Sequence, residues 1–405
     1  MAFTELKLAS PILRAVQEQG YENPTLVQEK AIPLIMQGSD VIAHSQTGSG
    51  KTAAFGLPML GKLTRGGGIQ ALILTPTREL CVQVCDALRG FAKYLPIRIL
   101  PIFGGVGIGQ QLRDMRTAEV VVATPGRLLD VMNRGLALNR VKYLVLDEAD
   151  RMLDMGFIRD VEKILKQTPP DRQTMLFSAT LSPALRSLVH KHMKSPISVQ
   201  AKTHVDTSLL SEKAYFVNPQ DKFGLLVHCL KHETPGIAIV FCATRRSCDK
   251  VAKSLRAQRI DAIAIHGGLT QSNRIRTIEQ LHRSGKGILV ATDVASRGLH
   301  IDNISHVYNY DLPMTADDYV HRIGRTARAG AKGDAVTFVT QHDQRDFQGI
   351  QRHVNRQIKP VELPKFEKVA MIAGAPSHER GFQPQGRFKR NTGSAGKPFW
   401  KKRRR

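Results

Sequence analysis

The sequence predicts an α/β protein: an open, mainly parallel sheet that occurs twice in tandem, followed by a disordered basic tail. Three observations carry this. Short apolar runs recur at the spacing of strands separated by helices. Each run is continuous instead of alternating, as in parallel strands covered on both faces. The rhythm starts a second time past the middle of the chain and stops after about Pro364.

The first set of runs is DVIAHS, ALILTP, VVVATP, YLVLDE and TMLFSAT; the second is IAIVFCAT, AIAIHG, GILVATD, HVYNYDLP and AVTFVT. Helical periodicity falls between them, as over residues 245–258 and 272–284. The halves meet in SPISVQAKTHVDTSLLSEK, whose middle follows neither period. The chain therefore divides into a domain at 1–200, a linker at 201–212, a second domain at 213–365 and a tail at 366–405. With 405 residues it is too long for one ordinary core. The tail holds eleven Lys and Arg against two Glu and is rich in Gly, Pro and Ser, so it cannot bury enough apolar surface to fold alone. Phe382, Phe388, Phe399 and Trp400 stand among its charges, where rings could stack on bases while cations hold phosphates. A solubilising tail with incidental aromatics is the alternative.

Lys and Arg number 59 against 35 Asp and Glu, a formal charge of +24. Such a balance favours polyanionic partners, nucleic acid before anionic membrane. No apolar run approaches the ~20 residues that span a bilayer, so no membrane association is expected. The N-terminal MAFTELKLASPILRAV lacks the features of a secretory signal, which points to the cytoplasm. Five cysteines, Cys81, Cys85, Cys229, Cys242 and Cys248, show no CxxC pair and are read as reduced, mostly buried thiols, not as a zinc site or a disulfide framework.

SQTGSGKT (45–52) follows one predicted strand and opens a helix, the context that a phosphate-binding loop requires. Backbone N–H groups of Ser45, Gln46, Thr47, Gly48, Ser49 and Gly50 would wrap phosphates at the helix N-terminus. Lys51 would reach the β- and γ-phosphates, and the Thr52 hydroxyl would ligate Mg²⁺. Ser45 stands where the pattern asks for Gly, so context carries the assignment. YLVLDEADRM places Asp147, Glu148 and Asp150 off another strand end. At the carboxyl edge of a parallel sheet these carboxylates lie beside the loop. Asp147 would help hold the metal, while Glu148 stays free to deprotonate the attacking water. Asp150 fits a turn that ties this segment to other motifs.

Asp147, Glu148, Ala149 and Asp150 spell D-E-A-D, and from about Phe3 to Pro364 the chain resembles the DEAD-box RNA helicases of superfamily two. DEADRMLDMGFI and FGGV look like the bacterial RhlE-type branch. The resemblance implies two RecA-like domains, ATP and Mg²⁺ as ligands, and RNA as partner. It implies that Gln28 bonds the adenine edge, with Phe3 or Tyr21 packed on or near the ring and Thr25 beside them. Pro76, Thr77, Arg78, Gly104, Gly105, Thr124, Gly126 and Arg127 would grip an RNA backbone, as hydroxyls, glycine amides and arginines can without reading sequence. Ser178 and Thr180 of SAT would link hydrolysis to RNA.

From the second half, HRIGRTARAG spaces Arg322, Arg325 and Arg328 three apart, near one face if helical. The family pattern puts Arg325 and Arg328 on the γ-phosphate from the opposite domain, and His321 and Arg322 in the interdomain network. Thr244, Gly267, Gln271, Arg274 and Thr292 are implied RNA contacts, Asp293 and Arg297 nucleotide or interdomain ones. Departures from the family are Ser45 and Ser296 for Ala, Gly268 for a frequent Asp, Ala327 for Gly, and His300 for the Asp expected near the ribose. The resulting expectation is an RNA-stimulated ATPase, monomeric, that separates short RNA duplexes, with ribosomal-precursor or RNA-degradation complexes as possible settings. An ATP-gated RNA clamp or a DNA helicase are the alternatives.

Overall fold

The computed structural model describes residues 2–44, 49–200, 209–233, 235–269, 271–296, 301, 304–327 and 332–372, with 271, 272, 275, 282, 294 and 296 by backbone alone. In chain order the first lobe carries β1 (Val41–His44), β2 (Ala71–Leu74), β3 (Ile99–Ile102), β4 (Val120–Ala123), β5 (Tyr143–Leu146), β6 (Gln173–Ser178) and β7 (Ile197–Gln200). The second carries β8 (Leu210–Phe216), β9 (Ile237–Phe241), β10 (Ala262–Ile265), β11 (Gly287–Ala291), β12 (Ile304–Asn309), β13 (Gly333–Val339) and β14 (Lys359–Val361). Each set forms one seven-stranded sheet, in the orders β3-β4-β2-β5-β6-β1-β7 and β10-β11-β9-β12-β13-β8-β14. Counted from the first strand of each lobe these orders are identical, and the pairings in both sheets are parallel. The tandem α/β expectation holds.

The continuous apolar runs are explained by layering. In β2, Ala71 and Ile73 belong to one core cluster while Leu72 and Leu74 belong to the other, on the opposite face of the sheet. In β9, Ala238 and Val240 likewise face away from Ile237, Ile239 and Phe241. A parallel strand covered on both faces has no polar side, so a charge anywhere along it would be buried.

Strands β3, β7, β8 and β14 escape the sequence reading, and each has a reason. β3 and β14 lie at sheet edges and contain Pro101 and Pro360, tolerated there because an edge strand has unpaired positions. β7 is an exposed edge strand with only Val199 buried. β8 begins at Leu210, so residues 210–212 belong to the second sheet and not to a linker; residues 201–208 lie outside the described set. The tail boundary also shifts. Phe366, Val369 and Met371 pack on the second lobe's core, and the Ile372 amide donates to Ser254 Oγ at 3.1 Å. One short apolar stretch, VAMI, standing after the strand-and-helix rhythm has stopped, leaves too weak a periodic signal to be read as a docked segment.

All five cysteines are free and buried. The Cys81 thiol donates to the Val122 carbonyl at 3.0 Å, and burial pushes the Cys85 and Cys229 thiols up to about 12. Among the described residues no helix is long and apolar enough to cross a membrane.

Candidate active site

The helix Lys51–Leu60 begins directly below the predicted phosphate loop. Its N-cap is Gly50 at φ +86°, a left-handed conformation that only glycine adopts without strain. A side chain there would also collide with the Gln28 amide. Gln28 Nε2 donates to the Gly50 carbonyl at 3.0 Å, Thr25 Oγ1 donates to the Ser49 carbonyl at 2.8 Å, and Gln28 Oε1 accepts from the Thr25 amide at 2.9 Å. Gln28 is 1% exposed. Expected at an adenine edge, it caps its own helix and braces the loop that would hold the phosphates. Ser45, Gln46, Thr47 and Gly48 lie outside the described residues.

A cavity of about 610 Å³ runs from Tyr21 and Asn23 past Thr25, Gly50, Lys51 and Thr52 to Asp147 and Glu148. Tyr21 stands at one end, its ring meeting Phe3 and Phe91 edge-on with centroids 6.3 and 5.8 Å away. Phe3 is buried in the core behind Tyr21, so of the two expected aromatics Tyr21 lines the cavity and Phe3 supports it.

At the other end, Lys51 Nζ is 3.9 Å from Asp147 Oδ1, and both side chains are buried. Asp147 Oδ1 has no hydrogen-bond partner among the described residues. Burial pushes the Asp147 carboxyl up to about 6, against the pull of the Lys51 ammonium. Glu148 has φ +51° and precedes the helix Ala149–Asp154; a glutamate in this region is strained. Asp150 is bound into the next strand end. Its amide donates to Ser178 Oγ at 3.2 Å, and its Oδ2 accepts from the Ala179 and Thr180 amides at 3.0 and 3.2 Å. Ser178 Oγ donates in turn to the Thr180 carbonyl at 2.7 Å.

No group of three or more His, Cys, Asp or Glu among the described residues is arranged to hold a metal ion alone. The orphaned Asp147 oxygen, facing a cation and a cavity, does fit Mg²⁺, which takes few protein ligands and completes its shell with phosphate and water.

Across from this site lies the helix Ala316–Ile323. Arg322 is 2% exposed: Nε and NH2 reach Asp293 Oδ1 and Oδ2 at 2.6 and 2.7 Å, and NH1 reaches Asn309 Oδ1 and the Asp311 carbonyl at 3.1 and 2.6 Å. Asp293, expected at the nucleotide or in the interdomain network, is held by Arg322 of its own lobe. His321 meets the first lobe: burial and the neighbouring Arg151 cation press its pKa down to about 3, with Asp150 opposing. Arg151 NH1 is 3.6 Å from Asp318 Oδ1, and Arg274 Nε is 3.1 Å from Glu79 Oε1, two further ion pairs between lobes. Arg274, expected at RNA or in a supporting role, makes the second of these pairs. Glu79, Arg151 and Asp318 went unread, although Glu79 directly follows Arg78 and Arg151 directly follows Asp150, because spacing does not reveal which side chains face another lobe. Arg325 is buried close enough for its charge to lower the His321 pKa. Arg297, His300 and Arg328 lie outside the described residues, as do the side chains of Gln271 and Ser296.

The remaining expected residues share the carboxyl edges of the two sheets. Pro76 and Thr77 follow β2, Gly104 and Gly105 follow β3, Thr124, Gly126 and Arg127 follow β4, and Thr244, Gly267 and Thr292 follow β9, β10 and β11. Thr77 and Thr244 cap helices by accepting the Leu80 and Ser247 amides at 3.3 and 3.1 Å. The Arg78 guanidinium lies over Gly104, where a Cβ would stand 3.1 Å from NH2. Arg245 lies likewise over Gly267, at 3.0 Å. Arg127 NH1 donates to the Val106 carbonyl and Gln111 Oε1 at 3.0 and 2.9 Å, fixing the turn after Gly105.

Residues 25–188 match the DEAD/DEAH box helicase family model and residues 221–330 the helicase conserved C-terminal domain. The chain is 42% identical over 370 residues to the ATP-dependent RNA helicase CshA of Listeria monocytogenes, covering 90% of this chain and 71% of that protein. Among solved structures, Saccharomyces cerevisiae Dbp5 bound to RNA and ADP BeF3 superposes with a TM-score of 0.81 at 31% identity, covering 89% of this chain and 96% of that one. A point variant of the yeast protein bound to Nup159, a Gle1 point variant, IP6 and ADP superposes at 0.63, also at 31% identity, covering 88% and 96%.

Proposed function

The chain belongs to the DEAD-box family of ATP-dependent RNA helicases, and from that premise we propose how its residues divide the work. ATP occupies the cavity between Tyr21 and the acidic turn, with the base against Tyr21 and the triphosphate over Gly50 and Lys51. The observation that carries this reading is the Lys51–Asp147 gap of 3.9 Å, in which a buried carboxylate oxygen is left without a hydrogen bond among the described residues. Removing such a group from water costs several kcal/mol unless a ligand satisfies it.

Thr52 and Asp147 would hold Mg²⁺, which neutralises charge on the phosphates when bound. Lys51 neutralises phosphate charge from the protein side. Glu148 orients the attacking water and takes its proton, and its fixed left-handed backbone aims the carboxylate independently of Asp147. Arg325 and Arg328 supply countercharge from the second lobe, while Arg322 stays inside that lobe and holds the segment carrying them. Asp150 passes the state of the acidic turn to Ser178 and Thr180.

One RNA strand runs along the carboxyl edges, over the Arg78–Gly104 and Arg245–Gly267 contacts. It is held through its backbone, so sequence is not read. The better superposition on the yeast point variant bound to RNA and ADP BeF3, at a TM-score of 0.82, than on the same variant bound to Nup159, the Gle1 variant, IP6 and ADP, at 0.63 and equal identity, supports reading the two lobes as docked in the productive arrangement. RNA stimulates hydrolysis because it favours that docking. Within the family, DEADRMLDMGFI and FGGV favour the RhlE-type branch. The test is ATP turnover of the full chain with RNA and DNA of one sequence. Stimulation by RNA alone is expected; equal stimulation by DNA would overturn the RNA assignment.

A further inference from the structure

The identical strand order of the two sheets means that every position in the first lobe has a counterpart in the second. Lys51 opens the helix after β1, the first strand of its lobe; Lys222 opens the helix Lys222–His232 after β8, the first strand of the other. Asp147 follows β5, the fifth strand, and Asp311 follows β12, also the fifth. Each aspartate amide donates to the carbonyl that ends the neighbouring strand: Asp147 to Leu74 at 2.9 Å, Asp311 to Phe241 at 3.1 Å. The pair at the nucleotide site of the first lobe is therefore repeated in the second.

The two pairs differ in one respect. Lys51 and Asp147 stand 3.9 Å apart beside a cavity, whereas Lys222 Nζ donates directly to Asp311 Oδ1 at 2.7 Å and lies 4.5 Å over the Tyr310 ring. The segment between β8 and its helix, VNPQD, contains no glycine, so its backbone cannot wrap a phosphate as the first loop can. Both Asp311 carboxylate oxygens are engaged, so neither is left over for a ligand as Asp147 Oδ1 is. What remains is a junction. Asp311 Oδ2 accepts from the Ala243 amide at 2.9 Å, beside Thr244 and Arg245 at the RNA edge. Its carbonyl accepts from Arg322 NH1 at 2.6 Å, on the helix that leads to Arg325.

We propose that Lys222 and Asp311 are the second lobe's copy of the catalytic Lys–Asp pair, closed into a direct ion pair and used as a positioning device that couples the RNA-gripping turn at Ala243 to the arginine segment. This rests on the RNA-stimulated reading above. RNA bound at residues 243–245 presses on a turn whose amide is fixed by Asp311, and the same residue holds Arg322. Lys222 fixes the rotamer of that carboxylate. Without its charge the carboxylate is free to turn, and the two ends lose their register.

The experiment measures ATP turnover of the full chain, without RNA and across a polyuridylate titration, for Lys222→Met, Asp311→Asn, the double variant and Lys222→Arg. The RNA concentration for half-maximal stimulation should rise about tenfold in each single variant, with the double no worse than the worse single. RNA-free turnover should stay within about twofold of the parent, and Lys222→Arg should recover most of the loss because it keeps the charge. Unchanged RNA dependence in folded variants, additive losses, or RNA-free turnover falling in step would each overturn the proposal. If Lys222→Met does not fold, Asp311→Asn and Lys222→Arg decide by the same criteria. A parent enzyme that RNA fails to stimulate would instead sink the RNA-coupled reading beneath it.

Discussion

Arg274 and Glu79 join the two lobes: Nε of the one is 3.1 Å from Oε1 of the other, and the Glu79 side chain is 3% exposed. Burial alone would lower the Arg274 pKa, and Glu79 is what holds the charge in place. Removing one partner strands a desolvated charge, which costs about 3–5 kcal/mol unless the lobes part and water enters. Arg274→Met should therefore shift the lobes toward separation, read as a longer distance between fluorophores placed one on each lobe. The exchange of Glu79→Arg with Arg274→Glu should restore part of the docking. An unchanged distance in the single variant would show that this pair does not hold the lobes.

Lys51→Ala should reduce ATP hydrolysis by at least about a hundredfold, because the ammonium neutralises charge that develops on the phosphates. Phosphate release under saturating ATP and RNA is the measurement, and near-normal rates would remove the phosphate-loop assignment.

Glu148→Gln should retain ATP and RNA binding while losing about 10²–10⁴ in turnover, the range for a general base. The amide keeps the shape and the left-handed backbone already in place at φ +51°, so binding and chemistry separate. Loss of both together would point to a folding defect at the turn.

His321 should make stability depend on pH in a defined window. Arg151 and Asp150 face it from the first lobe, Arg325 and Asp318 from its own, and its pKa in the fold is about 3 against an ordinary 6.5. A histidine depressed in the native state stays neutral there while the unfolded chain takes up a proton. Its contribution is intact above about pH 6.5 and is lost progressively as pH falls from 6.5 toward 3, about 1.4 kcal/mol of it by pH 5.5. Denaturant unfolding at pH 7.5 and 5.5 should show this loss in the parent and not in His321→Gln.

Ala327 has φ +53°, where an L-residue is strained and glycine is not. Ala327→Gly should raise unfolding stability by up to about 1 kcal/mol, the relief exceeding the added chain entropy. A lower stability would mean that the alanine methyl packs well enough to offset its backbone.

The fold was legible because a buried parallel strand must be apolar at every position; β2, β4, β5 and β9 read directly as continuous runs. The phosphate-loop helix and the acidic turn were legible because a glycine-rich loop ending in Lys and a carboxylate cluster each stand directly at the end of a predicted buried strand. Thr77 and Thr244 could be placed at strand ends, yet their capping role depends on local geometry. The edge strands were hidden, since Pro101 and the exposed side chains of β7 obey a different pattern.

The one-dimensional order of residues thus determined which groups are chemical, since composition and local period are properties of the chain alone. Only the tertiary structure decided how they are shared out. It turned Gln28 inward to the loop, paired Asp293 with Arg322, set Arg274 against Glu79 and closed Lys222 onto Asp311. These are contacts between residues 22 to 195 positions apart, and a side chain's partner at that range is fixed by the packing of whole elements, which no local spacing encodes.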